Sequence, residues 1–141
     1  MVDFQRSPLA PAQFPFLPTI RGLSISTTSA NIKYPNREDL LLIELEDGSV
    51  VSGVFTQSLT AAAPVIWSRT IAEAGYARAL LANSGNANAF TGIKGAQGLK
   101  EVAHALSKAL TLKSSQSPKG VSEVVKITDL VFASTGVIGE D

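Results

Sequence analysis

A chain of 141 residues, 45% hydrophobic and 17% charged, is long enough to bury one core of its own. Its 12 basic residues balance its 12 acidic ones, so the footprint of a nucleic-acid binder is missing, and the absence of Cys excludes disulfides, thiolate nucleophiles and cysteine-based metal sites. No stretch approaches the roughly 20 apolar residues of a membrane-spanning helix and no signal-peptide core is visible, so a cytoplasmic protein without nucleic-acid or membrane partners is expected.

Residues 1–18 carry Pro8, Pro11, Pro15 and Pro18 among Phe4, Phe14 and Phe16, a pattern that predicts an extended arm laying aromatics onto a folded unit of residues 19–141. Leu23 to Tyr34 is β-rich and partly alternating. Leu40–Leu45 and Ser49–Phe55 are apolar runs separated by Glu46-Asp47-Gly48, which predicts a hairpin, because both positions of an Asp-Gly turn tolerate positive φ. Pro64 to Ala74 reads as a short helix stopped by Gly75, with Ile66, Thr70, Ile71 and Ala74 along one side. Arg78–Ala82 reads as a buried strand entering the segment Asn83-Ser84-Gly85-Asn86-Ala87-Asn88-Ala89. Leu99, Val102, Ala103, Leu106, Ala109 and Leu110 then recur at helical spacing. Thr111–Glu123 is expected as a surface loop, and Val124–Ala133 as a last strand running into Ala133-Ser134-Thr135-Gly136-Val137-Ile138-Gly139. This order fits an α+β layer arrangement.

Any chemistry belongs at the two Gly-punctuated segments, where small residues after a strand let a ligand reach main-chain amides. The Asn-rich segment lies where phosphate-binding loops lie, yet neither Gly-x-x-x-x-Gly-Lys-Ser/Thr nor Gly-x-Gly-x-x-Gly is present. Its Asn residues are better read as side-chain turns and caps for the helix that follows. Thr135-Gly136 offers a sharper reading, since the Gly amide with a hydroxyl or amide from Thr135 makes a two-donor cradle for a developing oxyanion; from the residues alone a simple turn is the preferred reading. His104, the single histidine, falls on the polar side of the long helix and should face water rather than serve as a base. One His without Cys offers no metal set, and none is expected. Arg37-Glu38-Asp39 reads as a solvated charge cluster between strands.

Taken together, Asn31-Ile32-Lys33-Tyr34-Pro35-Asn36-Arg37-Glu38-Asp39-Leu40, Gly53-Val54-Phe55-Thr56, Ala62-Ala63-Pro64-Val65, Arg78-Ala79-Leu80, the Asn83–Ala89 string, Thr91-Gly92 and Ser134-Thr135-Gly136-Val137-Ile138-Gly139-Glu140 resemble the N-terminal part of the ornithine acetyltransferase family, the bifunctional glutamate N-acetyltransferases of arginine biosynthesis. The resemblance runs in order over residues 20–141. It implies a layered αββα fold and a precursor that cuts itself before an internal Thr. The freed Thr is then the nucleophile in a ping-pong transfer of acetyl from N-acetylornithine to glutamate, its own α-amine accepting its proton. Thr135 and Gly136 take the place of the family's oxyanion-stabilising pair; the substrate-binding residues are not assigned. Phe55-Thr56-Gln57-Ser58 departs from the family's Phe-Thr-x-Asn, and Phe90 stands where a small residue or Cys is common. The sequence given stops at Asp141, ahead of the region expected to carry the nucleophile, so the expectation is either a piece of a longer product or a complementary C-terminal chain in a hetero-oligomer, with no turnover by this polypeptide alone. The resemblance also implies an apolar sheet face left exposed. The alternatives are a vestigial, non-catalytic domain for assembly or small-molecule binding, and a related self-processing aminopeptidase, against which the Asn83–Ala89 string argues.

Overall fold

The computed structural model describes residues 7–13, 15–116 and 123–140. Its elements are β1 (Leu23–Thr28), β2 (Leu40–Leu45), α1 (Ala63–Ala74), β3 (Ala79–Asn86), α2 (Gly92–Ser115), a 3-10 turn at Ile127–Asp129, and β4 (Leu130–Val137). The strands form one sheet in the order β1-β2-β3-β4; β1/β2 and β2/β3 are antiparallel, and β3/β4, joined through α2, is parallel. This is the α+β class that the element order predicts.

The register places Leu42, Leu81 and Phe132 side by side on one face, against which the helices pack. Leu99, Ala103 and Leu110 of α2 join Ala79, Val125, Leu130 and Phe132 in the buried cluster, and Trp67 of α1 meets Phe132 edge to face at 5.7 Å. On the opposite face the same registers align Ile25, Ile43, Leu80 and Val131 in one row across all four strands. Ile25 is 62% exposed, and no described element covers this row. The described residues therefore supply one helical and one sheet layer of the implied αββα stack, with an apolar sheet face open as expected.

Several expectations are corrected. The Asp47-Gly48 turn forms, with φ of 81° at Gly48 and the Ser49 amide donating to the Glu46 carbonyl. The second arm of the hairpin does not, because β2 already has β1 and β3 on its two sides; residues beyond the turn make only an isolated bridge, Val50 to Tyr76. Helix α1 ends at Gly75 with φ of 76°, as predicted, but it buries Pro64, Ser68 and Ile71, whereas Ile66 is exposed. The buried face departs from the apolar stripe because its central contact is the Ser68 hydroxyl on the β4 backbone. Helix α2 continues to Ser115, past the predicted boundary at Thr111, and residues 117–122 of the expected loop lie outside the described residues. Its last turns are stitched to the following segment: Ser107 Oγ donates to the Val125 carbonyl, Thr111 Oγ1 accepts from the Val125 amide, and Ser114 Oγ from the Glu123 amide. The final strand begins only at Leu130, because the Asp129 carboxylate accepts the Lys126 amide and closes a turn first. In the arm, Phe16 is exposed rather than packed; Phe4 and Phe14 lie outside the described residues.

Candidate active site at the end of the parallel strand pair

The two Gly-punctuated segments are not loops after strands but the ends of the strands themselves. Parallel pairing runs unbroken from Ala79 with Leu130 to Asn86 with Val137, so Asn83 lies beside Ser134, Ser84 beside Thr135, and Gly85 beside Gly136. The glycines permit this approach. A Cβ on Gly136 would stand 2.3 Å from the carbonyl carbon of Gly85, and φ is 133° at Gly136 and 111° at Gly85.

Backbone phase along β4 decides what Gly136 can do. In a parallel ladder alternate residues of a strand turn their amide and carbonyl toward the partner. The Val137 carbonyl accepts from Ala87 on the β3 side, which places Thr135 in the same phase. Leu130 and Phe132 point the other way: the Leu130 carbonyl accepts Trp67 Nε1–H at 2.9 Å, and Ser68 Oγ both donates to the Phe132 carbonyl (2.7 Å) and accepts from the Phe132 amide (2.9 Å). Two steps further, Ser134 and Gly136 keep this outward phase. Among the described residues nothing bonds to the Gly136 amide or to the Thr135 hydroxyl, and both residues are exposed. A cavity of about 310 Å³ adjoins them, lined also by Lys33, Tyr34, Arg37 and Ser84.

The segment between β1 and β2 forms one wall of that cavity, and Asp39 organises it. Expected in a solvated cluster, Asp39 is instead 6% exposed, and its carboxylate accepts the amides of Ala30 (2.6 Å) and Ile32 (2.7 Å). Its own carbonyl accepts the Ser84 amide at 2.8 Å, tying the segment to β3. Arg37 and Glu38 are exposed as expected. Two asparagines in left-handed conformation, Asn31 and Asn36, just before an Asp that opens an apolar strand, were the available signal. Lys33 of this segment pairs with Glu140 beyond β4.

The Asn83–Ala89 string is consumed by structure, as its turn reading predicts. Asn83 Nδ2 donates to the Asn86 carbonyl, Asn86 Oδ1 accepts the Asn88 amide, Asn86 Nδ2 donates to the Glu140 carbonyl, and Asn88 Nδ2 donates to the Gly95 carbonyl. The capping half of the expectation fails: Thr91, at the N-cap of α2, makes no side-chain cap bond and instead donates Oγ1–H to Asn88 Oδ1. His104 is exposed on α2. Among the described residues no group of three or more His, Cys, Asp or Glu converges, and no helix is long and apolar enough to cross a membrane.

Away from the cavity, Arg78 spans Asp47 and Glu123, at 3.4 and 2.7 Å. Burial lowers its pKa, but hydrogen bonds to Glu123 and Tyr76 outweigh this and hold it above the ordinary value. The Tyr76 phenol is also raised, by burial first and then by its hydrogen bond to Asp47.

Comparison with known proteins agrees with this architecture. The ArgJ family model matches residues 24–141. The arginine biosynthesis bifunctional protein ArgJ of Bradyrhizobium diazoefficiens is 46% identical over 134 residues, and that of Agrobacterium fabrum 45%; each alignment covers 95% of this chain and 29% of the relative. This chain thus spans less than a third of the length of those relatives. The crystal structure of ornithine acetyltransferase complexed with ornithine from Mycobacterium tuberculosis superposes with a TM-score of 0.75 at 31% identity, covering 85% of this chain and 58% of that one. The Bacillus halodurans ArgJ structure superposes with a TM-score of 0.62 at 29% identity. With its strand order, its paired glycine segments and this match over most of its length, the chain belongs to the ArgJ family.

Proposed function

We propose that this chain supplies the oxyanion-stabilising half of an active site that transfers acetyl from N-acetylornithine to glutamate in the cytoplasm. The nucleophilic Thr lies on a complementary C-terminal chain, and the two form a hetero-oligomer with no nucleic-acid or membrane partner. The observation carrying this reading is the Gly136 amide: it points off the edge of β4, unpaired, beside a cavity and next to a hydroxyl that is also without a partner. A backbone donor held in a ladder is preorganised, so it stabilises charge without reorienting during the reaction.

In this mechanism the hydroxyl of the N-terminal Thr attacks the acetyl carbonyl carbon of N-acetylornithine and gives its proton to its own α-amine. The carbonyl π electrons move onto oxygen, where the Gly136 N–H and the Thr135 O–H donate to the new oxyanion. Collapse breaks the C–N bond, and the proton held by the α-amine leaves with the ornithine amine. An acetyl ester remains on Thr. The glutamate amine attacks that ester through the same cradle and passes a proton to the α-amine of Thr, which returns it to the Thr oxygen as the C–O bond breaks and N-acetylglutamate leaves. Each donor contributes a factor of about 100 to 1000 in rate.

Mixing this chain with the C-terminal portion of a close relative tests the reading. Acetyl transfer should appear with both pieces and with neither alone, and an ester in place of the Gly136 amide, which deletes the donor N–H without adding a Cβ, should cut it by about 100- to 1000-fold. A well-folded mixture that transfers no acetyl would favour a vestigial, non-catalytic domain.

A further inference from the structure

The geometry points to Lys33 as a positioning residue that straps the Thr135–Gly136 end of β4 in place through its ion pair with Glu140. This inference rests on the oxyanion reading above. Beyond Val137 the chain leaves the sheet, and four bonds among the described residues tie it down: Ala87 amide to Val137 carbonyl, Gly139 amide to Ala89 carbonyl, Asn86 Nδ2 to Glu140 carbonyl, and the Lys33–Glu140 pair. The first three join neighbours on the β3 side. Only the fourth reaches across from the β1–β2 segment, a partner 107 residues away in sequence.

Lys33 touches both ends of the problem. Its stem lies over Gly85, where an added Cβ would come within 2.8 Å of Lys33 Cβ, and Gly85 is the residue in register with Gly136. Its ammonium meets the Glu140 carboxylate four residues past Gly136. Its backbone is in turn fixed by Asp39, whose carboxylate accepts the amide of Ile32. A buried carboxylate thus sets the segment, the segment sets Lys33, and Lys33 spans the glycine pair to hold the strand end. Glu140 already occupies the ammonium, so the role is to place the donors rather than to bind substrate charge. Small displacements of such donors are costly: about 1 Å of misplacement removes up to ~100-fold in rate.

The test measures kcat and KM of the assembled enzyme, this chain with its C-terminal complement, for Lys33→Met, Lys33→Arg, Glu140→Gln and the charge swap Lys33→Glu with Glu140→Lys. Lys33→Met and Glu140→Gln should each lower kcat about 10-fold with KM within about 2-fold, Lys33→Arg should recover most of the rate, and the swap should exceed Lys33→Glu alone by about 5-fold, as coupled neighbours do. Unchanged kcat in Lys33→Met would overturn the inference. So would a loss confined to KM, which marks a substrate contact, or a swap no better than its single variant. Glu140→Gln breaks the pair from an exposed position and decides the matter if Lys33→Met does not fold. Thr135→Val run in parallel separates the two ideas: a crippled Thr135→Val with a normal Lys33→Met sinks only the strap, whereas a fully active Thr135→Val sinks the oxyanion reading and the strap with it.

Discussion

Ser68→Ala should destabilise this fold well beyond the loss of one ordinary hydrogen bond, because one buried hydroxyl serves two backbone groups at a strand edge. Ser68 is 3% exposed; its O–H donates to the Phe132 carbonyl at 2.7 Å and its oxygen accepts from the Phe132 amide at 2.9 Å. Alanine keeps the helix, leaves almost no cavity, and orphans one buried donor and one buried acceptor. At about 1–3 kcal/mol for each unsatisfied group, with the carbonyl at the low end, the expected loss is about 2–5 kcal/mol. That is a large part of the 5–15 kcal/mol typical of a domain, and at about 2–4 °C per kcal/mol it lowers Tm by ~4–20 °C. Trp67→Phe is the comparison, since it removes a single donor, to the Leu130 carbonyl, and should cost about 1 kcal/mol plus some packing. Circular dichroism melts of wild type and the two variants provide the readout. A Ser68→Ala shift below about 2 °C, or one smaller than that of Trp67→Phe, would refute the claim that α1 closes the outer edge of β4 through this hydroxyl.

Asp39→Asn replaces one of two acceptor oxygens by a donor facing a backbone N–H, so it should lose about 1.5–3 kcal/mol in denaturant unfolding and open the Lys33 segment to proteolysis. The raised phenol of Tyr76 favours the protonated form in the folded state; its contribution is complete below the ordinary value of about 10 and is lost as pH rises through the raised value. Melts between pH 8 and 11, on the order of that titration, should therefore fall more steeply in wild type than in Tyr76→Phe; equal slopes would contradict the assignment. His104→Ala, at an exposed position of α2, should stay within about 0.5 kcal/mol in stability and leave acetyl transfer unchanged, whereas a large rate loss would point to a histidine base.

Apolar periodicity made Leu99, Ala103 and Leu110 of α2 legible before any coordinates, and Gly75 marked the end of α1, because both signals are local. The hairpin after β2 misled for the opposite reason: Asp47-Gly48 specifies a turn, but whether the returning chain pairs depends on β3, which is far away in sequence. The two Gly segments looked like loops since Gly and Asn disfavour strands in isolation; long-range pairing of β3 with β4 overrides that preference and uses the missing side chains for close approach. At the proposed site, Thr135 and Gly136 were singled out only by the family resemblance, since the residues alone favour a turn. The roles of Asp39, Ser68 and the Lys33–Glu140 pair were not legible, because each acquires its role from a backbone group or a charge that only folding brings near.

The oxyanion proposal assigns one main-chain N–H to donate to the negatively charged oxygen that develops during acyl transfer, and the cleanest perturbation removes that hydrogen alone. Replacing Gly136 by glycolic acid converts the amide to an ester, keeps the freedom to hold φ near 133°, and deletes the donor. In the assembled enzyme, kcat should drop by about 100- to 1000-fold with KM within a few-fold and an unchanged melting curve. Wild-type kcat in the ester variant would contradict the account.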